Sequence, residues 1–146
     1  MKAIFIFVLG VMMSGASFAA DTGSSEPVVV DKAMQAARAQ IAKKDWTAAV
    51  ATLEPYTKAN AKSADGFNLL GYSYRNLKRY DESLVAYKQA LTLDPKHRGA
   101  HEYIGIAYIQ MGQPAKAREH LAALDKICTF SCEEYRDLKK ALEAVK

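Results

Sequence analysis

The sequence contains few of the residues that crosslink a chain, break its helices or concentrate charge. Among 146 residues there are two cysteines, four prolines and one tryptophan, and the formal net charge is only +4. Two cysteines exclude a small scaffold held together by several disulfides. A weak charge without a Lys/Arg cluster interleaved with aromatic residues argues against nucleic acid as a partner. No nucleophile with its base, no pair of carboxylates and no glycine-rich phosphate loop is recognisable, so an enzyme has little support.

Long apolar segments are also missing, with one exception at the N-terminus. Residues 3–13 are apolar, follow a positively charged start and precede small residues up to Ala19. This order predicts a secretory signal peptide over residues 1–19, cleaved after Ala19 or, as a second choice, after Ala20. The run is shorter than the roughly 20 apolar residues that cross a bilayer, so we expect no stable membrane insertion after cleavage. The alanine-rich exit looks bacterial, which predicts a periplasmic protein.

The remaining chain begins with a short tether and then becomes periodic. Residues 20–30 contain turn-forming residues and no helical period, which predicts a flexible tether. Residues 64–97 are then echoed, position for position, by residues 98–131, so that Gly71 is answered by Gly105. A period of 34 residues indicates stacked helical hairpins.

The central unit places small residues opposite large ones at fixed offsets, as antiparallel helices require. Six of its residues form a specific pattern: Leu70, Gly71, Tyr74, Tyr87, Ala90 and Pro95. This pattern is similar to the consensus of the tetratricopeptide repeat (TPR) family. The resemblance implies an all-α, right-handed solenoid over residues 31–146, made of about three helix hairpins and a C-terminal capping helix. Members of this family bind other polypeptides, and no catalysis is expected.

A first, degenerate repeat is predicted over residues 30–63, before the repeats at 64–97 and 98–131. Terminal repeats are atypical in such arrays. Pro55 lies inside the second helix of this first unit, where it removes one backbone hydrogen bond. We therefore expect that helix to be kinked or shortened.

Capping residues predict where the helices begin. Asp31 and Ser63 are N-caps for the first and third helices, Asp81 opens the fourth, and Pro114 starts the sixth. The expected helices span about 32–44, 47–59, 64–77, 81–93, 97–111 and 114–127.

A capping helix is predicted over residues 132–145. Ser131 followed by Glu134 forms a capping box at its start. Its apolar residues recur on one face, and that face must be buried. The exposed flank of the third repeat is nearest, so we expect the helix to pack there.

The TPR resemblance also implies a binding surface, because in that family the first helix of each hairpin lines a concave groove. The side chains at matching positions are Arg38, Ile41, Asp65, Asn68, Tyr72, Arg75, Asn76, Glu102, Ile106, Ile109 and Gln110. Asn68, Arg75 and Asn76 suit the backbone or carboxylate of an extended peptide, and Tyr72 offers a flat apolar anchor. The alternative is that these residues are merely solvated. The implied partner is an unidentified protein or peptide.

One known use of the fold, a clamp for a C-terminal carboxylate, is not supported. Its slots hold Met34, Arg38, Leu69, Gly99 and Tyr103 here, which are not the residues that the clamp needs. Binding of chaperone tails is therefore not expected.

The two cysteines, Cys128 and Cys132, flank a short connection between predicted helices. They can therefore form a disulfide, which an oxidising compartment would favour. The alternative is a thiol-redox pair or a copper or zinc site, because a thiol at a helix N-terminus loses its proton more easily. The spacing matches neither a thioredoxin-type motif nor a haem-attachment motif.

The three histidines leave a second metal hypothesis open. His97 and His101 are four residues apart on one helix, which is metal-ligand spacing, but His101 falls in a packing slot of the repeat. We expect the two environments to diverge and His120 to lie on a helix surface, so that no cofactor or metal is predicted. The sequence thus predicts a non-catalytic periplasmic adaptor, with a thiol-redox or metal-binding protein and a self-associating subunit as alternatives.

Overall fold

The computed structural model describes residues 31–145, and over that range its regular structure consists of seven α-helices with no strand. They are α1 (Lys32–Ala42), α2 (Trp46–Ala59), α3 (Ala64–Asn76), α4 (Tyr80–Leu93), α5 (Arg98–Gln110), α6 (Pro114–Ile127) and α7 (Glu133–Ala144). The all-α prediction is confirmed. None of these seven helices is long and apolar enough to cross a bilayer. The predicted signal peptide and tether lie outside the described residues.

Helices α1 to α6 form three hairpins, and the backbone repeats itself at the turns between them. Lys44, Lys78 and Gly112, spaced by 34 residues, have φ values of 59°, 60° and 71°. In each turn the N–H of this residue donates to the carbonyl three residues earlier, as Lys44 does to Ile41. The left-handed conformation closes the turn tightly, and glycine is the residue that adopts it without steric cost. Three hairpins of one design therefore stand in a row.

The helix caps follow the sequence in most cases. The carboxylate of Asp31 accepts hydrogen bonds from the N–H groups of Ala33 and Met34, and the hydroxyl of Ser63 accepts one from Gly66. Both predicted caps are thus confirmed. Each satisfies amide protons that the first turn of a helix cannot pair internally.

The apolar interior has two parts that meet on α4. The first cluster consists of Ala37, Ala49, Val50, Leu53, Leu70, Tyr74 and Ala86. The second consists of Tyr87, Ile104, Tyr108, Ala117, Leu124, Leu138 and Leu142. Ala86 and Tyr87 are neighbours in the chain but point into different clusters, so α4 divides the interior.

Helix α7 packs against α5 and α6, as predicted. Leu138 is fully buried, and its methyl groups lie where a side chain at Gly105 would be, 2.5 Å from an ideal Cβ. A Cβ at that position would require the methyl groups of Leu138 to shift. Helix α7 therefore closes the apolar end of the third hairpin.

The predicted start of the fourth helix is wrong, and only one half of the prediction about Pro55 in the second helix is tested. Helix α4 begins at Tyr80, one residue before the predicted Asp81, and its cap Arg79 makes no side-chain cap bond. Helix α2 continues to Ala59, its predicted end, so Pro55 does not shorten it, and the kink given as the alternative stays a prediction. Proline removes only the bond to the carbonyl four residues earlier, while Leu53 and Thr57 of the same helix are buried and hold it in place.

The predicted capping box at Ser131 and Glu134 is also wrong. The N-cap of α7 is Cys132, in an extended conformation, and no side chain caps the helix. Because the helix begins at Glu133, Ser131 lies one position too early to reach the first amides. Its carbonyl instead accepts a hydrogen bond from Arg136 Nη1 at 2.8 Å.

Candidate functional site

The first helices of the three hairpins lie side by side, and a chain of polar contacts crosses them. Arg38 on α1 lies 3.8 Å from the carboxylate of Asp65 on α3. The other oxygen of Asp65 lies 3.0 Å from Nε2 of His97 at the start of α5. Both Arg38 and Asp65 are largely exposed, so these charges also face solvent. The contacts show that α1, α3 and α5 share one surface.

A row of aromatic rings runs across the same surface. Tyr72 of α3 lies between Trp46 of α2, with ring centroids 5.7 Å apart in an edge arrangement, and Tyr103 of α5 at 4.8 Å. All three rings are half-buried. Their packing holds them in place, and the parts left open form a rigid apolar patch of mutually inclined rings.

The guanidinium of Arg75 covers this patch. Its guanidinium carbon lies 5.1 Å from the ring centre of Tyr72 and 5.8 Å from that of Tyr103, which are cation–π distances. Its Nη1 donates to the side-chain oxygen of Gln110 at 3.4 Å. Stacking on two rings orients the guanidinium while its charge stays available to an acceptor. We call the surface formed by Arg38, Trp46, Asp65, Tyr72, Arg75, Tyr103 and Gln110 the inner face.

The other predicted residues of the second hairpin are less available. Asn68 is only 7% exposed, and its Oδ1 has no hydrogen-bond partner within the part of the chain that is described. Asn76 uses its amide to donate to the backbone carbonyl of Tyr72 at 2.8 Å. The structure thus brings Tyr72 and Arg75 together, while Asn68 is covered and Asn76 binds its own helix.

The predicted residues of the outer two hairpins divide between the core and the surface. Ile41 is half-buried against the first apolar cluster, and Ile106 and Ile109 are half-buried against the second. Gln110 is exposed beside Arg75. Among the groove residues predicted from the TPR resemblance, the three isoleucines therefore contribute mainly to packing.

Glu102 occupies a different environment at the junction of α5 and α7. Burial, followed by the nearby carboxylates of Asp137 and Glu134, raises its pKa from the usual 4.5 to about 7. Arg75 acts in the opposite direction. These acids line a hollow of about 250 Å³ beside Tyr103. One end of the inner face is therefore acidic and holds a proton more tightly than a free carboxylate does.

Two inner-face residues, Trp46 and Tyr103, are absent from the predicted groove. Trp46 packs on Tyr72, but part of its ring stays open. From the sequence, Tyr103 is notable only as a residue that does not fit the carboxylate clamp. The only signal in the sequence is that each is a large aromatic residue, Trp46 at the first position of α2 and Tyr103 in the middle of α5.

A second concavity lies on the opposite side, between α2 and α4. It has a volume of about 670 Å³ and is lined by the apolar groups of Phe67, Leu70, Tyr74 and Val85. Val85 is 70% exposed. The hydroxyl of Tyr74 donates to the carboxylate of Glu54 at the rim, and burial with this bond raises the pKa of Tyr74 to about 12. We call this concavity the outer hollow.

The cysteine pair lies at the entrance to α7. The sulfur atoms of Cys128 and Cys132 are at disulfide distance, and their Cα atoms are 5.6 Å apart. Between them Phe130 is 90% exposed. The geometry is compatible with the predicted disulfide and joins the end of α6 to the cap of α7.

The histidines lie in two environments, as predicted for His97 and His101. His97 donates from Nε2 to Asp65, and its Nδ1 accepts the N–H of Ala100. His101 points the other way, into the α5/α6 hairpin, where its Nδ1 lies 3.1 Å from Nδ1 of His120. The prediction that His120 is a surface residue is wrong, because it is half-buried against Tyr108. Residues 31–145 contain no group of three or more potential His, Cys, Asp or Glu metal ligands.

Comparison with known proteins agrees with this architecture. Residues 64–97 match the family model of the tetratricopeptide repeat. Among solved structures, one point mutant of MamA is 27% identical, with a TM-score of 0.63, over 70% of this chain and 75% of that one. MamA residues 41 to the end from Desulfovibrio magneticus RS-1 give 21% identity and a TM-score of 0.63, over 65% and 54%.

The TPR2B domain of yeast Sti1, in a complex with pHsp70, is 20% identical with a TM-score of 0.71, over 76% of this chain and 90% of that one. At this identity the likeness shows the fold alone. The chain spans little more than half the length of some of the MamA structures that it matches. No curated protein matches the sequence significantly. The predicted TPR character and the helical-repeat fold are confirmed.

Proposed function

We propose that this chain, which carries a tetratricopeptide repeat at residues 64–97 in a TPR-like solenoid, is a non-catalytic scaffold that binds an extended segment of a partner protein on its inner face. One observation carries the proposal: Tyr72 lies between two other rings and beneath a guanidinium at the centre of that face. Tyrosine, tryptophan and arginine are the residues that contribute most often to binding hot spots.

The chemistry of the patch defines what the segment must offer. The rings supply rigid apolar area at little cost in side-chain entropy, because packing already fixes them. Arg75 offers charged donors to a carboxylate or a backbone carbonyl. We therefore infer a segment that places an apolar or aromatic side chain on Tyr72 and an acceptor beside Arg75.

We also propose that the scaffold acts in the periplasm. This proposal is supported by the order of charged, apolar and small residues over residues 1–19. Cell fractionation with mass determination of the mature N-terminus tests it. Mature protein starting at Ala20 or Asp21 in the periplasmic fraction is the expected result, and an uncleaved chain in the cytoplasm would refute it.

The cysteines play a structural role in this proposal. A bond between Cys128 and Cys132 closes a short loop, which contributes about 2 kcal/mol on the chain-entropy model. Thiol titration of the exported protein is expected to find no free thiol. Two free thiols, bound metal that depends on them, or activity toward other disulfides would favour the redox or metal alternative.

The binding proposal is tested by comparing two matched double variants in a pull-down from periplasmic extract. Tyr72→Ala with Arg75→Ala alters the inner face, and Val85→Ala with Lys88→Ala alters the opposite side, where both residues are exposed. We expect the outer variant to retain the partners of the wild type and the inner variant to lose them. Equal recovery by both variants, after circular dichroism shows that both are folded, would contradict the proposal.

A further inference from the structure

A pair of histidines inside the third hairpin takes no part in the inner face. His101 of α5 is 9% exposed and His120 of α6 is half-buried, and their Nδ1 atoms are 3.1 Å apart. The ring centroids are 5.3 Å apart. The hairpin thus brings together two imidazole nitrogens from residues 19 positions apart in the chain.

A hydrogen bond fixes which nitrogen of His101 is free. Its Nε2 lies 3.1 Å from the backbone carbonyl oxygen of Pro95. A carbonyl can only accept, so Nε2 carries the proton, and in the neutral ring the lone pair of Nδ1 points towards His120. Metal-binding histidines commonly have this arrangement, with the second ring N–H donated to a backbone carbonyl.

The distance between the two Nδ1 atoms suits a shared ion. Bonds from nitrogen to zinc are about 2.0–2.1 Å, so two such bonds to atoms 3.1 Å apart enclose an angle of about 100°. This value lies between the right angle of tetragonal copper and the tetrahedral angle of zinc. Burial, followed by the nearby His101, lowers the pKa of His120 to about 4.

We propose that His101 and His120 bind one divalent ion of the imidazole-preferring class, zinc or copper, through their Nδ1 atoms. Without the ion, His120 donates its Nδ1 proton to His101. On binding, that proton moves to Nε2 of His120, so the ring stays neutral and no net proton is released. A hollow of about 290 Å³ beside His120, lined also by Tyr108, Thr92 and Lys88, leaves room for water as the remaining ligands.

The affinity is expected to be moderate. Only two protein ligands are supplied, and Lys88 places a positive charge in the hollow. The proposal does not depend on the inner face, because the His101–His120 pair lies inside the hairpin rather than on that surface.

Zinc chloride and copper(II) chloride, titrated into tag-free protein with its cysteines oxidised, test the site. His120→Asn removes one ligand but keeps a hydrogen-bond donor for His101, and His97→Gln is the matched control because it removes the third histidine. We expect one zinc per chain in the wild type and in His97→Gln. Affinity in His120→Asn should fall by about tenfold or more.

Two spectroscopic measurements do not rely on affinity. Copper bound to the wild type should show electron paramagnetic hyperfine splitting from two imidazole nitrogens, and copper bound to His120→Asn from one. Zinc should shift the ¹⁵N signals of His101 and His120 but not those of His97. Unchanged affinity in His120→Asn, a loss in His97→Gln, or the absence of zinc binding by the wild type would overturn the proposal and leave the pair a hydrogen bond only.

Discussion

The second and third hairpins carry the same glycine but fill the space beside it in different ways. An ideal Cβ on Gly71 would lie 2.6 Å from the ring of Tyr87, which belongs to the same hairpin. On Gly105 it would meet Leu138 of α7 at 2.5 Å, and the position corresponding to Tyr87 holds the shorter Leu121. The second hairpin is therefore packed by its own two helices, whereas the third is completed by α7.

The second and third hairpins also differ in the side chains near the inner face. The same register position is Asn68 in the second hairpin, where it is buried next to α5, and Glu102 in the third, where it faces the acids of α7. The family model of the repeat matches residues 64–97, which is the hairpin whose glycine packs against a ring of its own second helix. A repeat that conforms to the consensus and one that departs from it can thus have the same backbone conformation. The second needs a side chain from another helix, here Leu138 of α7, in the space that Tyr87 fills in the first.

The largest expected effect comes from removing that element's contribution to the third hairpin. Leu138→Ala should lower the free energy of unfolding by about 3 kcal/mol, because it leaves a cavity at a fully buried site. Chemical denaturation measures this loss. Val145→Ala, next to the end of the same helix and 40% exposed, is the control and should change stability little. A loss below about 1 kcal/mol for Leu138→Ala would show that α7 does not complete the core.

The two glycines should respond unequally to the same substitution. Gly71→Ala meets a fully buried ring that cannot move, and we expect a net loss of about 2 kcal/mol after the gain in helix propensity. Gly105→Ala meets the methyl ends of Leu138, which can rotate away, so its net effect should be within about 0.5 kcal/mol of zero. Urea unfolding of both variants gives the comparison. Equal losses would remove the proposed distinction between the hairpins.

The acidic junction of the third hairpin should appear as a pH dependence. The folded protein keeps the Glu102 proton up to about pH 7, whereas the unfolded chain loses it near 4.5. The folded state therefore binds more protons in this window, and the free energy of unfolding falls as the pH rises through it. Since the side chain is partly exposed, we expect only about 1 kcal/mol.

Glu102→Gln should abolish that slope, so the variant gains stability relative to the wild type at pH 8 and not at pH 4.5. Thermal unfolding at a series of pH values, in buffer containing EDTA, measures both proteins. Parallel pH profiles would show that Glu102 titrates normally.

The smallest expected effect concerns the turns. Lys78 in the second hairpin adopts the left-handed conformation that Gly112 adopts in the third. Lys78→Gly relieves that strain but gains freedom in the unfolded chain, so we expect stability to rise by about 0.5 kcal/mol. Gly112→Lys should lower it by a similar amount. A loss of stability in Lys78→Gly would show that its side chain makes a contact worth more than the strain.

Features set by local sequence were predictable. The 34-residue period located three hairpins, and Asp31 and Ser63 marked helix starts because their side chains bond to amides two or three residues away. The small residue at Gly71 and the bulk at Tyr87 are fixed by the same repeat. These contacts join residues of the same hairpin, so the sequence of that hairpin is enough to predict them.

Features that depend on distant neighbours were missed. Trp46 becomes part of the inner face only because α3 brings Tyr72 beside it. His120 is half-buried only because His101 and Tyr108 of α5 lie against it. No local pattern records these contacts.

Site-specific photo-crosslinking tests the central claim most directly. A photoreactive phenylalanine derivative replaces Tyr72 on the inner face in one variant and Val85 in the outer hollow in another, and cells exporting each protein are irradiated. We expect a covalent adduct of one defined mass from position 72 and none from position 85. An adduct from position 85 alone, or none from position 72, would contradict the claim that the inner face is where a partner docks.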